Sequence, residues 1–258
     1  MQGDREILES LEKLPGKISL YYRPLDGASP ALEFQAQTPV VAASVIKLPI
    51  LIEAFRQREE GLVDFGEEFV LREEDKMPSC GALNYLQAGL KISMRDLAVL
   101  MIILSDNTAT NLLIDRLGME AVNATLSSLG AQGSRLRRKL FDAEAAERGL
   151  QNTVTARDMG QILEEMYFAR IVSPRASEEM LQILSDQQLN GKIPFFLKQD
   201  GVRIAHKTGE DGGITHDVGI VFAKRPFVLC MLCEQTIVPE AERLMQEVAR
   251  AFYRRANA

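Results

Sequence analysis

The stretch VRIAHKTGEDGGITHDVGIVFAKRPFVLCMLCEQT, residues 202–236, decides the architecture. Within it, VRIAHKTG, HDVGIVFA and PFVLCMLCEQT read as three successive antiparallel strands, rich in β-branched and aromatic residues. At the other end of the chain KISLYYR, residues 17–23, alternates like a strand. ALEFQAQ, residues 31–37, follows a turn containing Gly27, so the two read as a hairpin. Residues 4–13 before them read as a helix stopped by Pro15 and Gly16. From Ser44 to about Gln188 nearly everything reads as helix. Ser93 to Asp96 and Thr155 to Asp158 spell capping boxes, Ser173-Pro174 supplies a cap with proline in the first turn, and Gly118 is a C-terminal stop. Pro239 opens a long closing helix, with Leu244, Val248, Ala251 and Phe252 expected on one face.

Strands at both ends and helices between them imply a mixed α+β fold. One antiparallel sheet, from about residues 17–37 and 202–236, would pack beside a helical insert of about 44–190, within a single domain spanning 1–258. A cleft is expected where sheet meets helices.

Composition narrows the function classes. A net charge of −6 argues against a nucleic-acid partner. No apolar run reaches the ~18 residues of a membrane span, so LAVLMIIL, residues 97–104, reads as a buried helix segment. The first residues, MQGDREILESLEKLPG, lack a basic region, an apolar core and a cleavage site. As written the chain reads as cytoplasmic, although a chain trimmed of an export signal would read the same. Three cysteines make no disulfide framework. In FVLCMLCE, strand alternation puts Cys230 and Cys233 on opposite faces, poor geometry for a redox pair or a metal site.

Three short motifs carry chemistry. Ser44-Val45-Ile46-Lys47 opens an apolar helix. Its serine lies near free backbone N–H groups, and a lysine three residues on shares its face; a desolvated amine there can act as base toward the hydroxyl. Ser105-Asp106-Asn107 sits between two helices, where all three residues are good caps. Read functionally, Ser105 relays a proton, Asn107 holds substrate through its amide, and Asp106 is structural. Lys207-Thr208-Gly209 ends a strand lining the cleft. Lys207 offers a cation and Thr208 a hydroxyl for a substrate carboxylate, Gly209 admits close backbone approach, and the N–H of Glu210 can donate to an oxyanion.

Singly each motif has an ordinary structural reading. Together, at positions 44, 105 and 207, their order and the secondary structure under each resemble the active-site-serine β-lactamases and penicillin-binding proteins. Those intervals and the chain length resemble class A β-lactamases in particular, over essentially the whole chain. The resemblance implies a β-lactamase-like fold and a serine hydrolase that opens β-lactam amides. Ser44 would be the acylated nucleophile, Lys47 its activator, Ser105 the proton donor to the departing nitrogen, and the N–H groups of Ser44 and Glu210 the oxyanion hole. It implies a small-molecule substrate, no cofactor or metal, and a monomer.

Two departures stand out. Class A enzymes carry a glutamate in an E-x-x-x-N spelling that activates the deacylating water. RLRRKLFDAEAAERGLQNTVTA, residues 135–156, lacks it; a gapless alignment on Asn152-Thr153 puts Lys139 in its place. Asp142, Glu144 and Glu147 are the nearby carboxylates, and Asp142, which opens a new segment, is the favoured base. Where class A enzymes often place an arginine on the next strand, GGITHDVG offers His216 and Asp217. His206 and His216 read as structural. The departures leave open a D,D-peptidase or esterase on the same serine, and a slowly acylated penicillin-binding module without turnover.

Overall fold

A computed structural model describes residues 2–27 and 29–258; the expected domain span includes Met1 and Ala28, which lie outside the described residues. Helix α1 (Gln2–Glu12) leads into β1 (Lys17–Pro24), β2 (Leu32–Phe34) and the short β3 (Val40–Val41). A 3-10 turn, Ala43–Ile46, feeds α2 (Lys47–Glu59). The middle of the chain holds β4 (Glu68–Val70), β5 (Lys91–Ser93), α3 (Met94–Ile103), α4 (Asn107–Leu117), α5 (Met119–Ser128), α6 (Ala143–Glu147), β6 (Thr153–Val154), α7 (Ala156–Tyr167) and α8 (Pro174–Ser185). β7 (Ile204–Asp211), β8 (Ile214–Val221), β9 (Phe227–Glu234) and α9 (Val238–Asn257) complete it.

The expected sheet from both ends forms: its order is β2-β1-β9-β8-β7, with β1 antiparallel to β9 from Lys17 opposite Glu234 to Pro24 opposite Phe227. Every residue of β8 and β9 is buried, because helices cover both faces of the sheet. Alternation then divides the sheet between two cores. Tyr21, Val218, Ile220, Val228, Cys230 and Leu232 pack with the helical region. Ile18, Leu20, Val221, Phe227, Leu229, Met231 and Cys233 pack with α1 and α9. Cys230 and Cys233 therefore lie on opposite faces. Burial pushes both thiols up, that of Cys233 to about 12.

The predicted caps at Ser93, Thr155 and Ser173 each accept the expected backbone N–H, and Gly118 ends α4 with φ +86°. Residues 97–103 lie within α3, and among the described residues no helix is long and apolar enough to cross a membrane. Helix α2 is buried from Lys47 to Phe55, the central rod of the helical core. The middle is not all helix, since β4 pairs with β5 and β3 pairs with β6. The face of α9 also differs from expectation. Ala251 is exposed, and the buried stripe is Ala241, Met245, Val248, Ala249, Phe252 and Ala256. That stripe keeps the 3.6-residue period along all 20 residues, and position 251 falls off it.

Candidate active site

Ser44 sits in the 3-10 turn rather than in α2 itself, and Lys47 is the first α-helical residue. The turn is held from both sides. The Val41 N–H donates to Glu234 Oε2 at 2.9 Å, and the Val41 carbonyl accepts from His216 Nε2 at 2.8 Å. The Ala42 N–H donates to the Asn152 carbonyl at 2.8 Å. Between these anchors and the turn, Ala43 has φ +42°, a left-handed value uncommon outside glycine and associated with constrained sites. Strand β7 passes close by. A Cβ on Gly209 would come within 3.2 Å of Val45 Cγ2 and 3.3 Å of Ala43 Cβ, so a larger residue would push the strand off the turn.

Below Ser44 the three motifs converge. Lys47 Nζ lies 2.7 Å from the Ser105 carbonyl, 3.0 Å from Ser105 Oγ and 2.8 Å from Asn107 Oδ1. Lys207 Nζ approaches the same hydroxyl from β7 at 3.1 Å and donates to the Thr208 carbonyl at 2.8 Å. One serine hydroxyl thus lies between two lysine amines, and all three side chains are buried. Ser105 itself has φ +54°. Burial, and then the charge of Lys207, hold Lys47 well below the ordinary lysine range. Burial brings Lys207 down to about 7, helped by the Lys192 ammonium and opposed by Asp217, Cys80 and Glu210. A neutral Lys47 has a lone pair and can take a proton; an ammonium at Lys207 can donate to Ser105 Oγ or attract an anion.

Over this floor lies a cleft of about 490 Å³. Of the residues singled out from sequence, Ser44, Asn107, Asp142 and Glu210 line it; Lys47, Ser105 and Lys207 lie beneath, and Thr208 is buried in β7. Asn107 is already tied to Pro78, whose carbonyl accepts from Nδ2 at 3.0 Å. The second Nδ2 hydrogen remains for a ligand. Asp106 is structural, as read: its carboxylate caps α4 and accepts the N–H groups of Ala82 and Leu83 at 2.7 and 2.8 Å. Glu210 turns its carboxylate to Lys192 at 2.6 Å.

The other wall is the loop that lacks the E-x-x-x-N spelling. Lys139 turns away to pair with Asp115, and the loop presents Leu140 and Phe141 to the cleft instead. Asn111 fixes Leu140 at both backbone groups, accepting from its N–H and donating to its carbonyl, each at 2.9 Å. Asp142 lines the cleft while its Oδ1 caps α6 through the Ala145 N–H at 2.9 Å. Glu144 and Glu147 do not line it; Glu144 pairs with Arg148.

The two histidines serve the scaffold. His216 accepts the Cys233 N–H at Nδ1, at 3.0 Å, and donates from Nε2 to Val41; burial takes it down to about 4, so it is neutral. His206 pairs with Asp217 at 2.9 Å, and Asp217 also accepts the Ile193 N–H at 3.0 Å. Neither His216 nor Asp217 reaches the cleft wall. Reading by motif missed Asn111, Phe141, Glu234 and Cys80, which also lines the cleft. Only Asn111 carried a signal, since it stands four residues after Asn107 on the same helix face.

A family model described as "Beta-lactamase enzyme family" matches residues 3–256. A β-lactamase of Rhodobacter capsulatus is 23% identical over 199 residues, covering 75% of this chain and 67% of that protein. The match to the CARB-4 β-lactamase of Pseudomonas aeruginosa, 25% identical, spans little more than half, 56%, of that relative's length. Among solved structures, a β-lactamase from Sphaerobacter thermophilus superposes with a TM-score of 0.92 at 29% identity, covering 99% of this chain and 97% of that one. PBP-A superposes at 0.89 and 29% identity, covering 99% and 96%, and a mutant of PBP-A is known as an acyl-enzyme complex with penicillin G.

Proposed function

The chain belongs to the β-lactamase enzyme family, and from that premise we propose that it acts on β-lactams through an acyl-enzyme on Ser44. The observation that carries this reading is the pair of buried amines, Lys47 and Lys207, meeting at Ser105 Oγ beneath the serine. Ser44 Oγ attacks the lactam carbonyl while its proton passes to neutral Lys47. The N–H groups of Ser44 and Glu210 hold the oxyanion, each worth ~3 kcal/mol in comparable sites. The C–N bond breaks as Ser105 protonates the departing nitrogen, and Ser105 is reprotonated from Lys47. Lys207, with Thr208 beside it, attracts the substrate carboxylate. Water then cleaves the ester, releasing the opened acid and free Ser44. The chain works as a single domain and a monomer on this small-molecule substrate.

The loop opposite Ser44 supports a slower variant of the same chemistry. Leu140 and Phe141 face the cleft, and the one carboxylate the loop places there, Asp142, already caps a helix. A poorly activated water leaves a long-lived acyl-enzyme, as in a penicillin-binding module. Intact-protein mass spectrometry after mixing with a penicillin tests both, with Ser44→Ala as control. Turnover without a lasting adduct supports the hydrolase, and a lasting adduct on Ser44 supports the binding module. No reaction removes β-lactams as substrates.

A further inference from the structure

Strand β3 is two residues long and pairs with β6 alone among the described strands. Along such a ladder successive backbone groups point to opposite edges. The Ala42 N–H turns toward β6 and reaches the Asn152 carbonyl, so Val41 presents its N–H and carbonyl to the other, bare edge. Two side chains stand in for a strand there. Glu234, the last residue of β9, accepts the Val41 N–H at Oε2, and His216 of β8 donates from Nε2 to the Val41 carbonyl. Both are buried, and both are tied back to the sheet: Glu234 Oε1 takes the Lys17 ammonium of β1 at 3.1 Å, and His216 Nδ1 accepts the Cys233 N–H at 3.0 Å. Neither residue lines the cleft, so what they contribute there is geometry.

That geometry reaches Ser44 through one residue. Ala43 stands at φ +42° between the clamped Val41-Ala42 pair and the serine. An alanine left to itself disfavours a left-handed step by roughly five- to thirtyfold in population. Such a conformation persists only where its surroundings over-determine it. On the C-terminal side the Val45 N–H closes the turn on the Ala42 carbonyl at 3.0 Å; on the N-terminal side the hold is the Asn152 carbonyl and the clamp on Val41. Resting on the Ser44 acyl-enzyme reading above, we propose that Glu234 is a positioning residue for acylation. Together with His216 it fixes Val41, and through Val41 it holds the left-handed step at Ala43 that turns Ser44 into the cleft. Without the clamp the cleft still binds substrate, but the serine spends most of its time turned away.

The test follows Ser44 acylation by benzylpenicillin through intact-protein mass, over a concentration series that separates the half-saturating concentration from the maximal rate. Glu234→Met fills the volume of the carboxylate without accepting a hydrogen bond. It should lower the maximal rate about tenfold and leave the half-saturating concentration within about twofold. Glu234→Gln still offers an oxygen to the Val41 N–H and should stay within about threefold of the wild type. Ala43→Gly added to Glu234→Met should recover most of the loss, because glycine takes a left-handed step at no steric cost. Lys17→Met, which removes only the ion pair, should acylate as the wild type does. Should Glu234→Met fail to fold, His216→Leu removes the other arm of the clamp and should give the same pattern, with the same rescue by glycine. A clamp variant that acylates at the wild-type rate overturns the inference. So does a loss that Ala43→Gly leaves untouched, or a failure of both clamp variants to fold, since each makes the clamp a support of the fold alone. All three leave Ser44 standing as the nucleophile. A wild type that forms no adduct removes that reading, and this inference falls with it.

Discussion

Replacing Lys207 with methionine should make the folded protein more stable at neutral pH while abolishing its chemistry. Lys207 is fully buried and its pKa falls from 10.5 to about 7. A pKa lower in the folded than in the unfolded state means that between pH 7 and 10.5 the unfolded chain binds a proton the native one has lost. Stability therefore rises with pH across that window, and below pH 7 the full penalty is present. At 1.36 kcal/mol per unit, the penalty is about 5 kcal/mol. Methionine fills a similar volume without charge, and loses the contacts to Ser105 Oγ and the Thr208 carbonyl, each worth about 1 kcal/mol. Those losses do not vary with pH, so comparison across pH isolates the charge. Lys47 adds to the effect in the same direction, since it is relieved of its charged neighbour. Urea unfolding of both proteins should show the variant's advantage shrinking by roughly 3 kcal/mol from pH 6.5 to 9.5. Parallel stability curves, or an advantage that grows with pH, would refute the reasoning.

Asp142→Asn keeps an equally good cap on α6, so stability should hold; the Ser44 adduct should last more than about tenfold longer if Asp142 activates water. An unchanged adduct lifetime by time-resolved mass spectrometry removes Asp142 as the base. His216, held neutral with its pKa lowered from 6.5 to about 4, makes the native state lose about 3 kcal/mol as pH falls across that interval. His216→Gln should flatten this acid limb in urea titrations; an unaltered limb argues against it. Gly160→Ala would place a Cβ 2.2 Å from Tyr21 Cδ1. Overpacking of ~1–3 kcal/mol, less the ~1 kcal/mol helix preference for alanine, should lower the urea midpoint, and a raised midpoint would contradict the packing described.

The sheet was legible because alternation and turns are local signals: strands from 17, 204, 214 and 227 appear near their expected places. The caps at Ser93, Thr155 and Ser173 were legible for the same reason, each needing only its next three residues. The motif positions placed a lysine base, a serine relay and a second lysine around one cleft, but not that Lys47 and Lys207 would meet at the single hydroxyl of Ser105, the latter contact across 102 residues. The loop facing Ser44 was least legible. Its shape comes from distant amides: Asn152 Oδ1 accepts the N–H groups of Arg137 and Arg138, and Asn111 holds Leu140. No period in the sequence encodes such contacts, so gapless counting to Lys139 found a residue that faces solvent. On α9, Ala251 was misplaced because an apolar residue type was read as a buried one.

The pairing of β1 with β9 also has a consequence in time. Lys17 finds Glu234 only 217 residues later, so during synthesis β1 waits, with β2 as its sole strand partner, until nearly the whole sheet has been made. The helices between can condense first through short-range contacts, while β1 and β9 must close a loop of more than 200 residues. Lys47 and Ser105 belong to that early part, whereas Lys207 and the clamp on Val41 from Glu234 and His216 arrive with the late strands. A nascent or partly refolded chain therefore holds an unfinished cleft, and Ser44 comes under Lys207 and the Val41 clamp only once the late strands have docked.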